Sequence, residues 1–293
     1  MNKSEINEIS MEDTIFLIGS GPSLNKIDMS LLKDVNTMSL NRQYIAYEEW
    51  GFFPTYYTII DRKLVKAIFM KDLCPLLIEN PKCTIEKYFV LQPPLDAADV
   101  PRDMLAMSYS RNKSNKSFDI TEEFIQGEDS PRWYSHEDVL IISEGKNCDV
   151  RISDYNIEKL ISSPKVCSTL ENFSDSPLYF CGNGGAFATT LCAYLGFKRV
   201  VLLGIDAFYS GRDCSVKAGI DLEHFHPQYF DPETFPEGET QGSPDESNGI
   251  EPWKKLSEMQ PDASYQILSC TPDSIINDYL DYVNLEDLLG SYA

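Results

Sequence analysis

Short apolar runs separated by polar, turn-rich stretches set the pattern of this chain. Residues 15–18, 37–40, 56–60 and 87–91 are each brief and apolar, with polar segments on both sides. Runs of that length read as buried strands rather than helices. Between them, residues 27–33 and 45–50 carry helical spacing, and residues 61–69 open another helix. A second block, YFCGNGGAFATTLCAYLGFKRVVLLGIDAFY, begins at Tyr179. It predicts a glycine-rich turn at 182–185 and a helix over 186–195 closed by Gly196. A buried strand over 199–203 follows and ends in Gly204-Ile205-Asp206. The chain then closes with a strand in YQILSC and a helix in TPDSIINDYL, capped by Thr271 or Asp273 with Pro272 in its first turn.

Strands alternating with helices predict an α/β fold, with a Rossmann-like, doubly wound, mostly parallel sheet. Two regions depart from the alternation. Residues 101–164 are irregular, with a polar loop at 108–119 and one strand candidate at 139–143. Residues 228–262 are acidic and rich in Pro and Gly, a composition that buries little and reads as a lid-like insertion. The expected organisation is one nucleotide-binding domain over 1–293 containing both. No internal repeat is present.

Charge narrows the partners. The formal net charge is −21 over 293 residues, which argues against a nucleic-acid backbone or an anionic membrane surface as the main partner. A small anion remains compatible, because backbone amides bind one against the global field. The eight cysteines form no C-x-x-C pair and none lies near a histidine at metal-ligand spacing, a pattern that suits a reducing compartment. The first residues, MNKSEINEISMEDT, lack the apolar core of a signal peptide. The apolar runs are too short to span a bilayer. The expectation is a soluble, cytoplasmic protein.

The candidate chemistry starts at Gly19-Ser20-Gly21-Pro22-Ser23. These small residues follow the first strand, and ligands of open α/β sheets bind at the carboxyl ends of strands. The pattern Gly-x-Gly-x-x-Leu is not the full dinucleotide fingerprint, so two readings stand: a nucleotide-binding turn, or a tight strand-to-helix turn without a ligand. Asp206, at the end of an apolar strand, reads as a functional acid in such a fold. Asn41 reads either as a ligand contact or as a helix cap. Among the three histidines, His136 stands alone in a polar segment, whereas His224 and His226 flank Phe225 at the edge of the acidic region. They read as a general base, as part of a metal site, or as solvent-exposed loop residues. No third metal ligand is evident, and the general base is the favoured of these roles.

Four stretches together resemble a known superfamily. They are Gly19-Ser20-Gly21-Pro22-Ser23-Leu24 with Ile27-Asp28, Ser39-Leu40-Asn41-Arg42-Gln43-Tyr44, the Gly184-Gly185 turn leading through Tyr194-Leu195-Gly196-Phe197-Lys198 to Gly204-Ile205-Asp206, and Cys270-Thr271-Pro272-Asp273-Ser274. In this order they resemble the bacterial sialyltransferases of glycosyltransferase family 42 and the related DUF115 group with its MptE-like diphosphokinases. The third stretch is the most specific. The resemblance implies a metal-independent transferase that takes a CMP-sugar donor, needs no further cofactor, and acts on a glycan acceptor; it also implies a homo-oligomer. It implies donor contacts from Gly19, Ser20, Gly21, Ser23, Asn41, Gln43, Asn183, Gly184, Gly185, Gly204, Asp206 and Tyr209, with His224 or His226 as base; His224 is favoured, because related sequences place His-Phe after the Gly-Ile-Asp segment.

Three departures accompany the resemblance. Ser20 stands where the sialyltransferases usually have Asn, the histidines follow Asp206 more closely than the family's base does, and no Asp-x-Asp metal motif is present. An alternative is an MptE-like transfer of pyrophosphate from ATP to a small alcohol, with acids near Asp61 and Asp206 holding a metal. A non-catalytic nucleotide-binding relic of the same fold is the third possibility.

Overall fold

The computed structural model of the chain describes residues 9–59, 72, 76–77, 80, 82–92, 110–112, 117–119, 135–136, 139–144, 150–151, 166–167, 178–179, 183–207, 224–229 and 249–292. Its centre is a nine-stranded sheet. The principal strands are β1 (Thr14–Ile18), β2 (Thr37–Leu40), β3 (Tyr56–Ile59), β4 (Lys87–Gln92), β5 (Val139–Glu144), β6 (Arg199–Leu203) and β7 (Gln266–Ser269). They lie side by side in the order β7-β6-β1-β2-β3-β4-β5, every neighbouring pair parallel. Short antiparallel strands, Ser135–His136 and Val150–Arg151, join β5.

Both faces of the sheet's central strands are covered, as parallel strands require. All five residues of β1 are buried, and so are all five of β6. Alternation sorts them. Ile15, Leu17, Val200, Leu202 and Ile267 face one layer with Ala186, Phe187, Leu191, Trp253 and Leu256. Phe16, Ile18, Val201, Leu203 and Leu268 face the opposite layer with Leu24, Met29, Leu32, Leu285 and Leu288. The two layers carry the helices α1 (Tyr47–Trp50), α2 (Gly184–Tyr194), α3 (Glu251–Met259) and α4 (Leu285–Gly290). The fold is the doubly wound α/β type that the strand pattern predicts.

Helix α2 ends as expected. Gly196 takes φ +100° and the Phe197 amide reaches back to the Cys192 carbonyl, a left-handed stop that glycine makes at little cost. Other local expectations need revision. The helices foreseen at 27–33 and 45–50 are mostly 3-10 turns, Pro22–Lys26, Met29–Leu32 and Asn41–Ala46, with only α1 in α geometry. Neither Thr271 nor Asp273 caps a helix. Ser274 does, on the single 3-10 turn Ile275–Asp278, because Thr271 is tied to β6 and Asp273 adopts φ +58°. The polar stretch 108–119 contains an antiparallel hairpin of Ser110–Asn112 with Ser117–Asp119. Backbone pairing of that kind needs no apolar pattern. Composition also misread the end of the acidic region: Glu251–Met259 is a helix with Trp253 and Leu256 fully buried. The helix foreseen over 61–69 lies outside the described residues.

Candidate active site

The strand order reverses between β1 and β6. From β1 the chain winds outward through β2, β3, β4 and β5, then returns to place β6 on the other side of β1 and β7 beyond it. Open α/β sheets bind ligands in the crevice outside the carboxyl ends at such a switch point. The loops at that edge are 19–23 after β1, 41–46 after β2, 204–207 after β6 and 270–274 after β7. They carry most of the residues that the sequence singled out.

The β1 and β6 loops continue the pairing of their strands. The Gly19 amide donates to the Leu203 carbonyl at 2.6 Å, and the Gly21 amide to the Gly204 carbonyl at 2.8 Å. These two amides are therefore engaged within the protein. The glycines serve loop packing as well. A Cβ on Gly19 would meet Ile205 Cδ1 and the Gly204 carbonyl, and one on Gly21 would overlap Asp206 Oδ2. Gly204 takes φ +63°, and a Cβ there would lie 2.5 Å from Leu24 Cγ. The small residues of the opening motif are needed so that two neighbouring loops can touch.

Their contact places Ser23 on Asp206. The Ser23 hydroxyl donates to Asp206 Oδ2 at 2.7 Å, and the Ser23 amide donates to the same oxygen at 3.3 Å. Burial lifts the Asp206 carboxyl above the ordinary aspartate range; the Ser23 bonds and, more weakly, Lys26 pull it partway back. The β7 loop fixes the backbone here. Ser274 Oγ donates to the Ile205 carbonyl at 2.6 Å, and Thr271 Oγ1 accepts from the Ile205 amide at 3.2 Å. Lys26 pairs with Asp273 at 2.8 Å on the exposed rim.

Gln43 is completely buried and acts as a clamp. Its amide nitrogen donates to the Ile18 carbonyl at 2.6 Å and to the Gly19 carbonyl, while its oxygen accepts from the Leu40 amide at 2.9 Å. Its polar atoms are spent on the loop that it holds. Asn41, beside it, sits at φ +50° with its carbonyl accepting from the Tyr57 hydroxyl at 2.5 Å. Asn tolerates that region better than most residues. The non-glycine residues with positive φ among those described are Asn41, Ala207 and Asp273, one each at the carboxyl ends of β2, β6 and β7. Backbone strain of this kind gathers at functional sites.

Residues 224–229 lie over the β1 loop. The Phe225 amide donates to the Ser20 carbonyl at 3.0 Å, and the Asn25 side chain donates to the Phe225 carbonyl at 3.0 Å. His224 is partly buried, and its ring stacks on Tyr229 with centroids 4.0 Å apart and planes 6° from parallel. His226 accepts from the Gln228 amide through Nδ1 at 3.2 Å. His224 thus lies at the same edge as the β1 loop, from more than 200 positions away in sequence. Asn183 caps α2, accepting from the Ala186 amide at 3.0 Å, and Gly184 and Gly185 open that helix. A Cβ on Gly185 would stand 3.1 Å from Ile205 Cδ1 and from Trp253 Cζ2, so its absence lets the helix start close to the β6 loop. The first amides of a helix form an anion-binding end. Tyr209 lies outside the described residues.

Sequence reasoning missed Arg42. It is 5% exposed, donates to the Tyr229 carbonyl, and approaches Asp72 at 4.0 Å. The Tyr44 hydroxyl donates to the same Asp72 carboxylate at 2.6 Å. The tetrapeptide SLNR holds no local signal for this, because arginine is usually exposed.

No family model matches the chain, and no curated protein does. Among solved structures it is similar to the monofunctional α-2,3-sialyltransferase Cst-I from Campylobacter jejuni, with TM-score 0.49 and 14% identity over 96% of this chain and 82% of that one. It is also similar to the sialyltransferase CstII of the same organism. In complex with CMP-3FNeuAc, that structure gives TM-score 0.43 and 13% identity over 92% of this chain and 85% of that one. In complex with a trisaccharide acceptor and CMP, it gives 0.40 and 15% over 91% and 84%. No helix among the described residues is long and apolar enough to cross a membrane.

Proposed function

We propose that the chain is a nucleotide-sugar-dependent glycosyltransferase of the CMP-sialic-acid type, acting on a glycan acceptor. One observation carries this reading. Four motifs, scattered from Gly19 to Ser274 and resembling the sialyltransferase pattern, converge on the carboxyl edge of the sheet at its switch point, where they are tied to one another through Ser23–Asp206, Ser274–Ile205 and Gln43–Gly19.

In this reading the ribose and base of the donor lie against Ser23 and Asp206. The donor phosphate faces the opening of α2 at Gly184 and Gly185. The acceptor hydroxyl oxygen attacks the anomeric carbon while His224 takes its proton. The bond from that carbon to the phosphate oxygen breaks, and CMP leaves with the electron pair. The transition state has oxocarbenium character, as in glycoside hydrolysis. Asn41, held in its left-handed conformation by Tyr57, contributes a polar contact to the donor. No metal enters this scheme.

The test is a thermal-shift series with CMP, CDP, UDP, GDP and ATP, each with and without Mg²⁺. A ligand that binds only the folded state adds about 2.7 kcal/mol at one hundred times its Kd. Stabilisation by CMP without metal, together with CMP-sialic acid hydrolysis lost in His224→Ala, is the expected result. Stabilisation by ATP only with Mg²⁺ would replace this reading with the diphosphotransferase. No shift with any nucleotide would leave the fold without its proposed donor.

A further inference from the structure

Tyr229 stands between two parts of the candidate site and has no assigned role. Its ring carries His224 face to face at 4.0 Å. Its hydroxyl lies 3.0 Å from Ser20 Oγ in the β1 loop. The Asn41 side chain stands near enough to the same hydroxyl to favour its ionised form, against the burial that raises its pKa. Its carbonyl accepts from Arg42, and its amide donates to the His226 carbonyl at 3.0 Å. The side chain is 3% exposed, so none of these contacts is a chance surface encounter. A tyrosine used only for packing would not need its hydroxyl at a junction of two site loops, nor a partly exposed imidazole laid flat on its face.

We propose that Tyr229 is the positioning residue for His224. Its ring sets the plane of the imidazole, and its hydroxyl fixes that plane to the β1 loop through Ser20. The proposal rests on the reading of His224 as the base. Buried hydroxyl networks hold their members rigidly when every partner is present, and an error of about 1 Å in the placement of a reacting group can cost about 100-fold in rate. Arg42 completes the device by holding the Tyr229 backbone. The base is thus referenced to the loops that hold the donor, although 224–229 is a separate segment of the chain.

The first arm of the test needs no turnover. The chain has three histidines, so the imidazole NMR signals of the full-length protein are few, and His224→Ala identifies the signal of interest. Ring protons held over an aromatic face are shifted upfield. The expected result is an upfield His224 signal in the native protein and in Tyr229→Phe, which keeps the ring. In Tyr229→Leu the signal moves to the position of a free imidazole. A His224 signal unmoved by Tyr229→Leu overturns the proposal, and so does one already at the free position in the native protein. If Tyr229→Leu does not fold, Tyr229→Met, closer in volume, serves instead: it too removes the ring, the same loss of the upfield shift is expected, and an unmoved His224 signal overturns the proposal.

The second arm measures CMP-sialic acid hydrolysis. Tyr229→Leu should lower kcat by about 100-fold while the CMP-induced rise in melting temperature is kept. The double variant Tyr229→Leu/His224→Ala should be no slower than His224→Ala, because groups acting as a unit do not add. Losses that multiply would overturn the positioning role. Full turnover in His224→Ala would instead overturn the assignment of the base, and the two failures are thereby told apart.

Discussion

The hydroxyl of Ser23 donates to Asp206 Oδ2 at 2.7 Å, although 183 positions separate the two residues. The bond joins the loop after β1 to the loop after β6 and sits at the point where the winding of the sheet reverses. It also gives the Asp206 carboxylate a fixed direction, with one oxygen committed to Ser23.

Asp206→Asn is expected to raise the melting temperature at neutral pH while abolishing stabilisation by CMP. Burial lifts the folded-state pKa of Asp206 above its unfolded value. A group shifted this way stabilises the fold below its unfolded pKa, and that contribution is lost as the pH rises through the folded pKa. The ionised side chain therefore costs stability at neutral pH. The advantage of the variant should close as the pH falls into the ordinary carboxylate range. Melting curves of both proteins from acid to neutral pH decide this, and an advantage that widens on acidification contradicts it.

Gly21→Ala and Gly51→Ala separate packing from backbone strain. A Cβ at Gly21 overlaps Asp206 Oδ2, whereas at Gly51 it meets nothing within 4 Å, at a φ of +75°. Gly51→Ala should cost about 1–2 kcal/mol from the left-handed backbone alone and leave the response to CMP intact. Gly21→Ala should cost about 1–3 kcal/mol from overpacking and remove the response to CMP. Urea titrations with and without CMP would show both effects.

Gln43→Met keeps the volume of a buried side chain and removes its amide. The carbonyls of Ile18 and Gly19 and the amide of Leu40 then lose their partner. Unpaired buried groups cost about 1–3 kcal/mol each, so a loss of at least about 2 kcal/mol is expected. The measurement is equilibrium unfolding. A variant as stable as the native protein would mean that the β1 loop does not depend on the clamp.

Arg199→Met probes the opposite edge. Arg199 is fully buried at the amino end of β6, where it donates to Gln266 Oε1 at 2.8 Å, to the Ile9 carbonyl at 3.4 Å and to the Tyr292 hydroxyl. It ties a residue near each end of the chain to the sheet. Its replacement should cost about 2–3 kcal/mol through the polar groups left behind, with the midpoint of CMP binding unchanged. A shift in that midpoint, measured by calorimetry, would show that the two edges are coupled.

Much of this architecture is legible in the sequence for definite reasons. β1 and β6 are continuous apolar runs because both faces of the central strands are covered, and α2 announces its end through Gly196. The glycines of the opening motif are also visible, but their physical cause is not: Gly19 and Gly21 are small because Ile205, Gly204 and Asp206 stand against them. Contacts that depend on tertiary placement leave no local trace. Thr271 resembles a helix cap until β6 is seen beside it, where its hydroxyl donates to the Leu202 carbonyl. Trp253 and Leu256 are concealed in an acidic composition that reads as loop. Tyr229 and Arg42 meet only because residues 224–229 return to the β1 and β2 loops.

The pairing of β1 with β6 has a consequence for biosynthesis. Thr14 to Ile18 find their partners in Arg199 to Leu203, and at about 5–20 residues per second a ribosome needs on the order of ten seconds or more to make the intervening chain. During that interval one edge of β1 is a row of unpaired backbone groups, the kind of edge that invites wrong partners. The opposing wall of the crevice does not yet exist. The carboxyl edge at the switch point is therefore among the last features to arise on the nascent polypeptide, and a product released early carries its first glycine loop but nothing for that loop to close against.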